Sequence, residues 1–154
     1  MPRVTNGPDG LTYVRAVRDG QRPGDPLMEH LGIRVTAAEP GRVTMEVVPA
    51  AEHLNLGGIV HGGLLSTLMD SATGFALHTT LAPGDTPPHL AASYRFIGMA
   101  RPGVTLTASA QVLKAGSRIG HVRVDVRDAA DRLVATGETT HAVVASPSPA
   151  SPRS

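Results

Sequence analysis

Residues 62–80 read GGLLSTLMDSATGFALHTT, and the period of this stretch decides the fold. Leu64, Leu68, Ala72 and Phe75 recur at intervals of three or four residues, flanked by Leu65, Met69 and Ala76. That is the pattern of an amphipathic helix with one buried face. At about 100° per residue, Gly63, Thr67, Asp70 and Gly74 gather on the opposite side. A glycine inside a helix costs roughly 0.5–1 kcal/mol relative to alanine. The pairs Gly57-Gly58 and Gly62-Gly63 in NLGGIVHGG (55–63) therefore suggest a role for the backbone itself, as a tight turn, a close approach, or amides left bare for a ligand.

Outward from the helix the period changes to two. Upstream, IRVTAAE (33–39) and RVTMEVV (42–48) alternate apolar and polar residues around Pro40-Gly41, which reads as a hairpin. Before them, PLMEHLG (26–32) suits a short helix closed by Gly32. Downstream, past the loop LAPGDTPP, come four strand-like runs: HLAASYRFIG, VTLTASAQVLKA, IGHVRVDVRD and LVATGETTHAVV. Their separators ARPG, GSR and DAAD are turn chemistry. One short helix, two strands, one long helix and four strands make an α+β domain, an antiparallel sheet with a helix covering one face. The domain is expected over residues 26–145. Residues 1–25, rich in Gly, Pro and Arg, read as a loosely ordered arm, and 146–154 as a disordered Pro/Ser tail.

Composition narrows the function. The 154 residues include 14 basic and 13 acidic side chains, a net charge of +1, and no Lys/Arg block. Aromatic residues make up 3% and tryptophan is absent. Non-specific nucleic-acid binding needs a basic groove with stacking aromatics, so that class is set aside. The lack of cysteine excludes disulfides, thiolate metal sites and a Cys nucleophile. The seven histidines show no HxxxH or HxH spacing, so no metal site is expected. No GxSxG elbow marks a serine hydrolase. No apolar run reaches about 18 residues and the first residues lack a signal-like apolar core, which predicts a soluble, cytoplasmic protein with no membrane partner.

The chemistry concentrates at the start of the long helix. The first four N–H groups of a helix lack intrahelical partners, and the dipole makes that end electropositive. It can hold an anion, or an oxyanion developing on a carbonyl. Gly62 and Gly63 would let an acyl thioester or a phosphate come close, and Asp70 would act as general base or nucleophile. Yet Gly62 and Asp70 are eight residues apart, about 12 Å along one helix axis. Two antiparallel copies of the helix across a two-fold axis would bring each Asp70 to the other subunit's glycine turn. A catalytic reading therefore requires a dimer.

The segment HLNLGGIVHGGLLSTLMDSATGFAL, with SYRFIGMARPG and LKAGSRIGHVRVDVRDAADRLVATGE, resembles the hotdog-fold acyl-CoA thioesterases, above all their PaaI-like (phenylacetic acid degradation) branch. The resemblance spans roughly residues 27–144 and rests on the spacing Asn–x6–Gly–Gly–x6–Asp with His before the glycines. It implies a long helix wrapped by a curved antiparallel sheet, homodimers whose sheets join edge to edge and often homotetramers, and thioester hydrolysis without metal or cofactor. By that likeness Asp70 matches the acid that attacks the thioester or activates water, and Gly62 the amide that polarises the carbonyl. Asn55 matches the residue that places carbonyl or water, and His61 supports the turn before Gly63. Where many members carry Ser or Thr to orient the water, this chain has His89, with Thr86 and Ser93 nearby. Gly74 stands where a related branch with a Glu nucleophile carries threonine. KAGSR resembles segments that meet the coenzyme's phosphates, which nominates Lys114, Ser117 and Arg118 as substrate contacts.

The reading is an acyl-CoA thioesterase acting on an aryl-acyl or medium-chain thioester. The alternatives are a non-catalytic acyl-CoA-binding module and a hotdog hydratase or dehydratase, which would use a His–acid pair.

Overall fold

The computed structural model describes residues 7–146. The outermost parts of the expected arm and tail, residues 1–6 and 147–154, lie outside the described residues. The chain runs α1 (Gly10–Arg18), α2 (Pro26–Leu31), β1 (Arg34–Glu39), β2 (Arg42–Val47), a single 3-10 turn at Ala51–His53, α3 (Gly62–His78), then β3 (His89–Phe96), β4 (Leu106–Ala115), β5 (Ile119–Arg127) and β6 (Leu133–Ala142). The six strands form one curved antiparallel sheet in the order β1-β2-β4-β5-β6-β3. The α+β hotdog architecture expected from the sequence is the one observed.

Alternation along the strands sets the core. Val43, Met45 and Val47 of β2, Leu106, Ala108 and Ala110 of β4, and Val122, Val124 and Val126 of β5 point to one face and are buried. Against them lie Leu64, Leu65, Leu68, Met69, Ala72, Ala76 and Leu77 of α3. A fully buried Leu or Met contributes about 1.5–3 kcal/mol, so this one interface anchors the helix. The β1–β2 hairpin turns at Pro40-Gly41, where Gly41 takes φ 73°, the left-handed conformation that a type II turn requires after proline. The Gly41 N–H donates to Thr79 Oγ1 at 2.8 Å and ties this hairpin to the end of α3.

One expectation is corrected. Residues 1–25 read as a loose arm, yet Gly10–Arg18 is helical and docked. Asp9 caps it, its carboxylate accepting from the Thr12 N–H at 2.8 Å. Val14 is fully buried, Tyr13 lies 5.1 Å ring to ring from His78, and Arg15 Nε donates to the Ala38 carbonyl at 3.2 Å. A Cβ on Gly10 would overlap the His78 carbonyl, so glycine is what lets α1 lie this close to the end of α3. Gly10, Tyr13, Val14 and Val17 do follow helical spacing. The flanking Gly and Pro residues outweighed that short signal.

Candidate active site

His61 starts α3 as an N-cap, extended at φ −63°, ψ 135°. Its Nδ1 accepts from the Gly63 N–H at 2.8 Å, which satisfies one of the helix's orphan donors. Since Nδ1 accepts, the proton of the neutral ring is on Nε2. A Cβ on Gly63 would stand 2.9 Å from that Nδ1 and 3.2 Å from Cε1. The second glycine is thus required by the cap. The first is not: a Cβ on Gly62 would rest 3.5 Å from the Phe96 ring, an ordinary contact. The Gly62 N–H makes no hydrogen bond among the described residues.

Asn55 builds the loop that precedes this turn. Its Oδ1 accepts from the Gly57 N–H at 2.8 Å and the Ile59 N–H at 3.4 Å, and its own N–H donates to the Ile59 carbonyl at 2.8 Å. The carbonyl oxygen of the side chain is therefore committed to loop geometry.

Asp70 sits two turns into α3 with its side chain 54% exposed, its Oδ2 3.3 Å from His89 Nε2. The sequence nominated both residues without pairing them. Thr73 completes the group: its Oγ1 is 3.2 Å from His89 Nε2, and its hydroxyl donates to the Met69 carbonyl at 2.9 Å, with the Asp70 carbonyl at 3.0 Å. Under His89 lies His141, fully buried, the ring centroids 4.0 Å apart. His141 Nδ1–H donates to the Pro87 carbonyl at 3.0 Å, and Nε2 accepts from the Thr139 hydroxyl at 2.7 Å. Burial holds His141 below the ordinary imidazole range against the pull of the Pro87 carbonyl, so it stays neutral. The Tyr94 hydroxyl is buried without a hydrogen-bond partner. Burial, and then the charge of Asp70, push it up to about 12.

A cavity of about 310 Å³ opens beside Asp70 and His89. Tyr13 of α1, Phe75 and His78 of α3, and Pro87 and Pro88 line it. Thr86 lines it too, whereas Ser93 faces outward, exposed. A larger hollow of about 750 Å³ lies on the opposite, polar face of the sheet, among Arg42, Ser109, Arg123 and Asp125. Neither Asp70 nor the glycine turn lines it, whereas Asp70 lines the smaller cavity. Lys114, Ser117 and Arg118 fall at the β4–β5 turn and do not line that cavity. The sequence reading missed Thr73, His141 and Tyr13, whose contacts with His89 and His78 cross between elements. No cluster of three metal-ligating side chains occurs among the described residues.

The family model described as the Thioesterase superfamily matches residues 57–135. Human acyl-coenzyme A thioesterase 13 is 33% identical over 111 residues, which cover 70% of this chain and 77% of the human one. The E. coli PaaI protein of the phenylacetic acid degradation operon has a TM-score of 0.80 over 88% of this chain and 96% of its own, at 23% identity, a likeness of fold. A mutant of the phenylacetic acid degradation protein PaaI from Thermus thermophilus is 31% identical, with a TM-score of 0.71 over 77% of this chain and 98% of its own. On these matches and this fold, the chain belongs to the Thioesterase superfamily, and within it to the hotdog-fold thioester hydrolases that resemble PaaI.

Proposed function

We propose that the chain hydrolyses acyl-CoA thioesters, with Asp70 as the base or nucleophile and the Gly62 N–H as the donor to the developing oxyanion. One observation carries the reading. A solvent-accessible carboxylate beside a ring-lined cavity and an unused helix-end amide occur on one helix, too far apart to serve one carbonyl within one chain. Hydrolysis then takes place between two copies, Asp70 of one protomer facing Gly62 of its partner. His61 supports this by fixing the turn, and Asn55 by shaping the loop before it. Lys114, Ser117 and Arg118 are the proposed contacts of the coenzyme's phosphates.

At about 310 Å³ the cavity is at the small end of ligand pockets, roughly 300–1,000 Å³. Tyr13, Phe75 and two prolines give it an apolar side for an aryl or medium-chain acyl group, and Asp25, Ser71 and Thr86 give it a polar one.

The test is thiol release from a panel of acyl-CoAs by the native protein and by Asp70→Asn. The native protein is expected to liberate free thiol. Asp70→Asn should lower kcat by about 100-fold or more, the scale for losing a general base. Near-normal turnover by Asp70→Asn would remove Asp70 from the mechanism. Because His89 and Asp70 form a His–acid pair, an enoyl-CoA belongs in the panel. Loss of its double bond without thiol release would identify a hydratase instead.

A further inference from the structure

We propose that His89 is a positioning residue that acts through Asp70, its Nε2 hydrogen-bonded to Thr73 Oγ1 and facing Asp70 Oδ2 at 3.3 Å, and that Gly74 is glycine to admit the ring. The proposal rests on Asp70 being the acting carboxylate. The proton's position follows from the partners. The Thr73 hydroxyl hydrogen is directed at the Met69 and Asp70 carbonyls, which only accept. Thr73 Oγ1 therefore accepts from His89, and the Asp70 carboxylate, an acceptor only, stands 3.3 Å from the same nitrogen, at ion-pair distance. Both neighbours of Nε2 are acceptors, so Nε2 carries the hydrogen.

The ring is held from two sides. A Cβ on Gly74 would come 3.2 Å from His89 Cε1, closer than most side-chain contacts, so any other residue there makes the ring shift from the position it holds beside Asp70. From beneath, His141 supports the ring, and both of its nitrogens are already engaged, with Pro87 and Thr139. His141 therefore neither competes for the Asp70 carboxylate nor, being neutral, opposes charge on His89. A carboxylate that is half exposed samples many rotamers, and a donor fixed by a buried floor restricts it to the one facing the cavity. Histidine at position 89 and glycine at 74 are two parts of one device.

The experiment compares His89→Gln, His89→Asn and His89→Leu. Glutamine can return an N–H donor to the ε position, whereas asparagine is too short and leucine has no donor. Asparagine and leucine are expected to lower kcat by about 10–100-fold, the scale for a hydrogen bond to a charged group, with KM within about 3-fold. Glutamine should restore kcat to within about 5-fold of native. Gly74→Ala should reduce kcat in the native background and add no further loss to His89→Leu, since both act on one contact. Unchanged kcat in His89→Leu would overturn the proposal. So would a His89→Gln enzyme as slow as the leucine variant, which would make the imidazole itself the acting group, or full additivity with Gly74→Ala. If Asp70→Asn were fully active, the functional reading would fail first, an outcome distinct from these.

Discussion

The two glycines at the head of α3 are there for different reasons, and substitution should separate them. Gly63→Ala places its Cβ against the ring of His61, so the imidazole must swing off the Gly63 N–H. Losing an N-cap costs about 1 kcal/mol, or a melting temperature lower by about 2–4 °C for a chain of this size. His61→Ala should give a similar drop, and the double variant little more; full additivity in a thermal melt would detach Gly63 from the cap. Gly62→Val keeps both its amide and the cap. Its Cβ fits beside Phe96, while its methyls enter the space proposed for the thioester carbonyl. The variant should melt as the native protein does yet lose about 100–1,000-fold in kcat/KM, the scale for a misplaced oxyanion donor. Wild-type kcat/KM in that variant would reduce Gly62 to a turn residue.

At the scale of elements, α1 changes what the cavity is. Without it the space beside Phe75 and His78 would open to solvent; with it, Tyr13 forms a wall. That wall is braced by the His78 ring at 5.1 Å and by the Arg22 guanidinium 5.3 Å from the Tyr13 ring centre. Tyr13→Ala should lengthen the cavity and favour bulkier acyl groups. The ratio of kcat/KM for a longer over a shorter acyl-CoA is expected to rise about 10-fold, within the range that small changes of pocket volume produce. An unchanged chain-length profile would mean that the acyl group lies elsewhere. The helix was the element least legible in the sequence. Its nine residues bury little apolar surface of their own, and only docking on α3 and β1 stabilises so short a helix.

For the molecule as a whole, β3 is an edge strand of eight residues, all of them exposed or half-buried. Leu90, Phe96, Ile97 and Met99 stand out in solvent along and beyond it. Such an edge invites pairing, and pairing β3 with a second copy would bring two α3 helices together, as the proposed mechanism needs. Mixed Asp70→Asn and Gly62→Val subunits, each inactive alone, should recover activity after subunit exchange. Equal mixing gives about a quarter of native activity, because half the dimers are hybrids with one intact site of two. No recovery despite proven exchange would exclude shared sites. Stability should also depend on pH. His78 and His141 are held below the ordinary imidazole value of 6.5, in each case chiefly by burial. The unfolded chain therefore binds their protons more readily, and stability present above about pH 6.5 is lost as pH falls toward the folded values. The urea midpoint should drop between about pH 8 and 5, and less steeply in His141→Gln. Equal slopes would mean that His141 is not linked to folding.

Much of this was legible along the chain, and for a physical reason. The six strands, α2 and α3 rest on local signals: period two or period 3.6, Pro40-Gly41 at a turn, Gly32 at a helix end. Asp70 and the glycine turn were visible because their spacing lies within one helix, where sequence distance is spatial distance. What only the tertiary structure decided lies between elements. His89 follows Asp70 by nineteen positions, and strand β3 lies beside α3 only because β6 holds it at that edge of the sheet. Gly74 stands where a related branch carries threonine, and only the folded chain sets the His89 ring beside it. The contacts of His89 with Asp70, Thr73, Gly74 and His141 depend on strand order, on the irregular register at His89/Ala91 and on how the helix lies across the sheet. Those are consequences of packing the whole core, and no periodicity within one segment carries them.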